Sequence, residues 1–362
     1  MSACDACLRR SALLGALVPW IARALDEHRR VPAVLALRDD ELVQAICGRK
    51  RAMIDAELDC FDAGRARAEG DAAGISTVCR HEPHFPPRLL AGPDAVAALW
   101  VLGDPARLAV VAAEHPVALV GARRASPYGL EVARGLGRDL AVAGVPVVSG
   151  MALGIDSAAH EGALEVGGLT VAVLAGGADH VYPRARAHLH RQIAAEGLVV
   201  SELPPGTRPH RWCFPARNRI MAGLAAMTVV VEGTVSSGSL ITGTFAGDLG
   251  RDLGAVPGQV TSPLAAGPNG LIAEGACMVR SAGDVIDAVY GPGGAPKDPE
   301  AVPANLEPRL AAVLEAIDQG EGSPSALAGD ASPAADVLAA LTELELLGLV
   351  RRDAGGSYVR CA

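Results

Sequence analysis

The chain has 362 residues, half of them hydrophobic but only 3% aromatic, and a formal net charge of -9. Such a length allows about two or three domains around an aliphatic core of the kind parallel sheets use. The negative balance excludes a protein coated in nucleic acid, because overall repulsion opposes a polyanion. Any such contact must be local. With Lys50 and Lys297 the only lysines, it falls to arginine, whose planar fork suits bidentate phosphate contacts.

Residues 1–68 read as a small helical domain of the SAM or helix-hairpin kind, with helices over Ser11–Leu25, Asp39–Cys47 and Arg49–Arg67. The apolar run from Ala12 to Trp20 follows Arg9 and Arg10 but is broken by Pro19 and followed by Arg23, so an amphipathic helix is expected rather than a secretory signal. Without some 18 uncharged apolar residues in a row, no membrane span is expected and the protein is placed in the cytoplasm. Eight cysteines are spread along the chain without the tight spacing of a disulfide scaffold. Cys4 and Cys7 form one CxxC, and Cys79, His81 and His84 are conceivable partners. No second CxxC or HxxxH follows, so ordinary thiols and no metal site are the expectation.

Residues 70–115 are a Pro-rich lead-in with short apolar runs such as Leu99–Leu102. From Pro116 to about Tyr290 the pattern changes to short apolar runs closed by Gly or Ser, each followed by a helical period. That alternation predicts an α/β domain with a parallel sheet and crossover helices. Five strands are expected: Val117–Val120, Val145–Ser149, Thr170–Leu174, Leu198–Val200 and Thr228–Val231. Their ends place five loops on one edge of the sheet, where ligands of open α/β sheets bind. Residues 291–305 read as a linker. Residues 306–362 then show helix, helix, helix and two strands around the Gly355-Gly356 turn, the order of a winged helix. The exposed positions of its third helix include Asp336, Glu343 and Glu345 with no Arg or Lys, so a protein-contact or structural role suits it better than groove reading.

Parts of an anion site recur at three or four of these strand ends. GARRASPYG offers Gly121, Arg123 and the Ser126 hydroxyl at a helix start. SGMALGIDSAAH offers backbone freedom at Gly150 and Gly154, with Asp156 read as a helix cap before a catalytic acid and His160 as a packing residue. AGGADHVYPRAR, opening at Gly176, delivers Arg184 and Arg186 from a turn shaped by Tyr182 and Pro183. RPHRWCFPARNRIMAG carries Arg208, Arg211, Arg217 and Arg219 with Trp212 and Phe214 between them. A cationic track with stacking faces reads as a single-strand nucleic-acid surface. A buried Phe-Pro wedge with arginines paired to acids elsewhere reads it equally well. EGTVSSGSLITG presents Ser237, Gly238 and Ser239 to phosphate but lacks the lysine of a P-loop. No catalytic constellation stands out and no cofactor is expected.

In order from 120 to 264, VGARRASPYG, SGMALGIDSAAH, AGGADHVYP, SELPPGTRP, FPARNRIMAGL, VVVEGTVSSGSLIT and AVPGQVTSPL resemble the DNA-processing protein A family, DprA or Smf. The resemblance implies an extended Rossmann-like domain over 70–290, flanked by the helical domain and the winged helix. It further implies single-stranded DNA binding and loading of the RecA recombinase during natural transformation, without enzymatic activity. Single-strand-binding protein is a further partner, and a homodimer is expected. Carried over by motif position, Gly121, Arg123, Ser126, Gly150, Gly154, Gly176, Arg184, Phe214, Arg217, Asn218, Arg219, Ser237, Gly238 and Ser239 would line the DNA track. Leu271, Ile272 and Met278 would form the self-association and RecA surface. The chain departs from the family pattern at Ala122, Leu153 and Thr234 to Ser236, where hydroxyl or basic residues are usual; weaker and more salt-sensitive DNA binding is the implication. A nucleoside-monophosphate-processing enzyme is the alternative, disfavoured by the absent PGGxGTxxE signature. A winged-helix regulator is disfavoured by the acidic third helix.

Overall fold

Short apolar strands buried on both faces need a layer of helices above and below, and the centre of this protein is built that way. In a computed structural model, the described residues are 2–25, 31–48, 51–92, 94–294, 307–318, 323–327, 334–346, 350–352 and 357–360. Nine strands form one sheet: β1 (Ile75–Cys79), β2 (Ala98–Gly103), β3 (Val117–Val120), β4 (Val147–Ser149), β5 (Thr170–Val173), β6 (Leu198–Ser201), β7 (Met227–Val230), β8 (Asp252–Ala255) and β9 (Cys277–Met278). Their spatial order is β1-β2-β6-β5-β4-β3-β7-β8-β9. From β6 to β9 all pairs are parallel, whereas β2 runs antiparallel to β6 and β1 antiparallel to β2.

The helices are α1 (Asp5–Leu25), α2 (Val31–Leu35), α3 (Asp39–Cys47), α4 (Arg51–Asp59) and α5 (Ala63–Ala72) before the sheet. Within and after it come α6 (Arg107–Ala113), α7 (Pro127–Val142), α8 (Ile155–Glu165), α9 (Ala187–Glu196), α10 (Cys213–Leu224), α11 (Gly238–Asp248), α12 (Ala266–Ala273) and α13 (Ala282–Tyr290). Alternation along β3 divides the core. Ala118 and Val120 join Leu108, Val111, Ile220, Met221 and Leu224 on one face, while Val117 and Leu119 join Ala133, Leu136, Leu140, Ile155 and Ala159 on the other.

The fold is the α/β parallel-sheet architecture expected, with differences at both edges. The sheet has four strands more than expected: β1, β2, β8 and β9. Strand β4 starts at Val147 rather than Val145. The expected helix Arg49–Arg67 is two helices, because the Asp62 carboxylate accepts from Arg65 N at 2.9 Å and caps a new start; Arg49 lies outside the described residues.

The chain divides into compact units Met1–Pro292 and Gly293–Ala362. The expected boundary near residue 68 therefore falls inside the first unit. Leu13, Leu17, Ile21, Leu42 and Ile54 share one apolar cluster with Leu203, Trp212 and Ala216 from the sheet domain. Three hydrogen bonds fix α1 there: Ser11 Oγ donates to Glu202 O at 2.7 Å, Trp100 Nε1 to Ser11 Oγ at 2.8 Å, and Trp212 Nε1 to Val18 O at 2.8 Å.

Cys4 and Cys7, expected as ordinary thiols, do not stand alone. Both meet Cys79 and His81, with the four donor atoms within 4.8 Å of one another, while His84 is not in the group. The second unit holds α14 (Pro308–Asp318), α15 (Pro324–Leu327), α16 (Ala334–Leu346) and the antiparallel pair β10 (Val350–Arg352) and β11 (Tyr358–Arg360). Leu310, Leu314, Val337, Leu341, Leu344, Val350 and Tyr358 are its core, and Asp336, Glu343 and Glu345 on α16 are exposed. Most of the expected linker, residues 295–305, and the Gly355-Gly356 turn lie outside the described residues. Among the described residues no helix is long and apolar enough to cross a membrane.

Candidate nucleic-acid interface

The chain runs β3, β4, β5, β6 outward in one direction and resumes at β7 on the other side of β3. The loops after β3 and β7 therefore part in opposite directions and leave a crevice at the carboxyl ends of the strands, the place where such sheets bind ligands. Here the crevice is an open cleft of about 260 Å³ lined by Gly121, Arg123, Asp156, Phe214, Arg217, Asn218, Ser237, Gly238 and Ser239, among others.

Its two walls are tied together by Glu232, which sequence reasoning missed. Ser126 N and Ser126 Oγ donate to the Glu232 carboxylate at 2.8 and 2.6 Å, and Ala122 N donates to Glu232 O at 2.7 Å. The Ser126 hydroxyl also accepts from Gly129 N at 3.1 Å and caps α7. Its capacity is spent on the scaffold, so Ser126 shapes the loop. The signal was an acidic residue directly after the apolar run of β7.

At the base of the cleft is Arg217, only 6% exposed, whose Nη1 donates to Val173 O at 2.8 Å. Its Nε has no hydrogen-bond partner. Burial pulls the guanidinium down to about 10, with Asp156 opposing and Arg123 adding to the fall, so it remains charged at neutral pH. Burial pushes the Asp156 carboxyl up, against the pull of Arg217, of backbone N–H groups and of Arg123. Asp156 is not the expected helix cap: Gly154 holds the cap position of α8, Asp156 lies inside the first turn, and its carboxylate accepts from Ala152 N at 3.4 Å. A buried cation that lines an open cleft is a point of attraction for an anion.

The rim supplies stacking surfaces. The Arg123 guanidinium lies over the Phe214 ring at 5.1 Å, and the Tyr182 ring meets Phe214 at 5.5 Å with planes tilted by 56°. Phe214 is half-buried and Tyr182 exposed. Arg123, Arg124, Arg184, Arg208 and Arg211 are all exposed, and no ion pair to them exists among the described residues. Asp156 is the only acid among the cleft-lining residues. The local balance is thus positive on a negatively charged protein.

The remaining expected residues divide. Asn218 Nδ2 donates to Gly238 O at 3.2 Å and holds the serine turn, where Ser237 Oγ and Ser239 Oγ hydrogen-bond each other at 2.8 Å. Gly154 has φ +82°, and a Cβ there would come within 2.2 Å of Ala122 O, so it joins two loops. Gly121 and Gly176 are close-packed at the ends of β3 and β5, against Ile155 and against Thr207 O. Two expectations are corrected. Arg219 does not face the cleft; it is buried in an ion pair with Glu202 and reaches Asp94 at 3.4 Å. Trp212 does not stack outward either, being 5% exposed and bonded to α1. Away from the cleft, Met278 is exposed on edge strand β9 and Ile272 half-buried on α12, while Leu271 packs against the core.

Comparison with known proteins agrees with this geometry. Residues 76–290 match the family described as DNA recombination-mediator protein A. A Mycobacterium tuberculosis protein assigned as a DprA DNA processing protein is 45% identical over 62% of this chain; the match spans 55% of that relative's length, so the chain covers little more than half of it. The protein Smf of Escherichia coli is 36% identical over 76% of this chain and 75% of its own. The X-ray structure of DNA processing protein A from Streptococcus pneumoniae superposes with a TM-score of 0.61 at 31% identity, covering 80% of this chain and 99% of that one. The Helicobacter pylori DNA processing protein A, whose structure concerns its single-stranded DNA binding mode, gives 0.53 at 27% identity, covering 59% and 94%. Sheet, cleft and motifs coincide with this match: the chain belongs to the DNA recombination-mediator protein A family.

Proposed function

We propose that this protein binds single-stranded DNA across the cleft and loads the RecA recombinase onto it during DNA uptake, making and breaking no covalent bond itself. The observation that carries the reading is Arg123 stacked on Phe214 at the rim of a cleft lined at its base by the charged Arg217. A single strand offers both things this arrangement attracts, unpaired bases for the rings and phosphates for the guanidinium groups. The single-stranded DNA binding of the Helicobacter pylori relative supports it. A lone carboxylate, buried against Arg217, supports a binding rather than a hydrolytic role. The same reading takes Leu271, Ile272 and Met278 as the surface for a second copy and for RecA, with single-strand-binding protein a further partner and the second unit a winged helix used for protein contact. Leu153 is 41% exposed beside Tyr182 and Phe214, so a apolar side chain stands where a cation would strengthen phosphate binding.

The test is fluorescence anisotropy of a labelled dT oligonucleotide and the matching duplex over a salt series. The single strand is expected to bind more tightly. Arg123→Ala should flatten the log–log salt dependence by about 0.7, the counterion release of one single-strand phosphate contact. Phe214→Ala should weaken binding by about 1–3 kcal/mol with the slope unchanged, the signature of a lost base stack. Equal binding of both substrates, insensitive to either substitution, would refute the proposal.

A further inference from the structure

Four metal-binding side chains from two distant segments meet at the outer end of the sheet. The sulfurs of Cys4, Cys7 and Cys79 and Nδ1 of His81 lie within 4.8 Å of one another. Nδ1 stands 3.3 Å from Cys4 Sγ, 3.5 Å from Cys7 Sγ and 3.9 Å from Cys79 Sγ. Hydrogen bonding does not account for this convergence, because a neutral imidazole nitrogen has one lone pair and can accept from one thiol, not three. A shared central ion does. Bonds of about 2.3 Å to sulfur and about 2.0 Å to nitrogen, disposed tetrahedrally, put the ligand atoms roughly 3.5–3.8 Å apart, and the observed separations bracket that spacing.

We infer that Cys4, Cys7, Cys79 and His81 form a structural zinc site. Three thiols and an imidazole are a soft donor set that selects zinc over magnesium or calcium, and four protein ligands leave no open position for catalysis. The surroundings are those of a ligand shell. Cys4 N donates to Cys79 Sγ at 3.4 Å, an N–H pointed at a prospective thiolate. Ala3 N donates to Thr77 Oγ1 at 3.1 Å, and Arg67 donates to Ala3 O at 2.7 Å, which holds the CxxC segment in place. Cys7 and Cys79 are buried, Cys4 half-buried and His81 exposed, so the site is closed on the protein side and open to metal entry at the imidazole. The ion would tie the first turn of α1 to the end of β1, an edge strand paired on one side by β2. Binding releases the thiol protons, so retention is expected to fall in acid.

The experiment is metal analysis by plasma mass spectrometry on the full chain, purified in reductant without chelator, together with uptake of Co(II) by chelator-stripped protein. About one zinc per chain is expected, with tetrahedral ligand-field bands and thiolate-to-metal charge transfer after cobalt loading. His81→Ala, at an exposed position that should leave the fold intact, and Cys79→Ser should each lose the metal and lower the melting temperature of the chelator-free protein. His84→Ala should keep both. Wild-type protein that contains no zinc and takes up no cobalt would overturn the inference. So would zinc content unchanged in His81→Ala and Cys79→Ser, which would place the ion elsewhere.

Discussion

Gly150 and Arg217 occupy adjoining space so tightly that a Cβ at residue 150 would lie 1.5 Å from Arg217 Nη1. The glycine directly after β4 is what lets a guanidinium reach Val173 O beneath the cleft. Gly150→Ala should therefore act through the arginine. The end of a flexible side chain yields before the backbone does, so a stability loss of about 1–2 kcal/mol is expected, at the lower end for an overpacked site. Single-stranded DNA affinity should fall about tenfold, or about 1.4 kcal/mol. Adding Gly150→Ala to Arg217→Ala should cost little further affinity, because both remove the same cation. Anisotropy on the two single variants and the double variant checks this; additive losses would separate the residues.

Arg219 should behave in the opposite way from Arg217, though only one residue separates them along α10. It is bound to Glu202 and Asp94 with side chains only 7–12% exposed, so Arg219→Met strands buried carboxylates. A loss of about 3–5 kcal/mol is expected in urea unfolding, the range for breaking a buried pair from one side. DNA affinity per folded molecule should stay close to wild type.

His160 predicts an acid-sensitive fold. Its Nδ1 is 2.7 Å from Thr170 Oγ1, which itself donates to Val147 O, so Nδ1 carries the hydrogen and the unpaired Nε2 does not. Burial, aided by Arg217, holds the imidazole down at about 3 from an ordinary 6.5. Because the folded value lies below the unfolded one, the unfolded chain binds the proton first. The contribution is intact above the unfolded value and is lost as pH falls below it. Between about pH 7.5 and about pH 5 the wild type should lose about 2 kcal/mol more stability than His160→Gln. Denaturant melts at the two pH values measure the difference; parallel losses would show that the ring takes up its proton as readily in the folded chain as in the unfolded one.

The parallel centre of the fold was legible because runs such as Val117–Val120 are apolar at every position, as a strand covered on both faces must be. The edges were not. β8 reads DLGA and β9 is two exposed residues, so neither carries a pattern that stands apart from a loop. Positions on the cleft were legible as motifs, but their roles were not. Arg217 and Arg219 look equivalent in FPARNR and differ only because Val173 O and Gly150 meet one while Glu202 and Asp94 meet the other. Trp212 looks like a stacking face until α1, 194 residues earlier in the chain, is seen to supply its partner. The CxxC at Cys4 lacked its counterpart for the same reason: Cys79 and His81 are brought to it by a strand more than seventy residues away. Pairings of that range are set by topology, which local sequence does not encode.

The grip of Glu232 on Ser126, across 106 residues of chain, has a consequence for synthesis. Ribosomes release the β3 loop long before β7 exists, and closing so long an interval precedes any reward from the contact. A nascent or truncated chain ending before Glu232 owns Arg123 and Phe214 but has no second wall to set against them. Half a chain is not half a grip: on the proposed reading, affinity for a strand is expected only once Glu232 is in place, and a protease cut between the two loops that let them part is expected to remove it in one step.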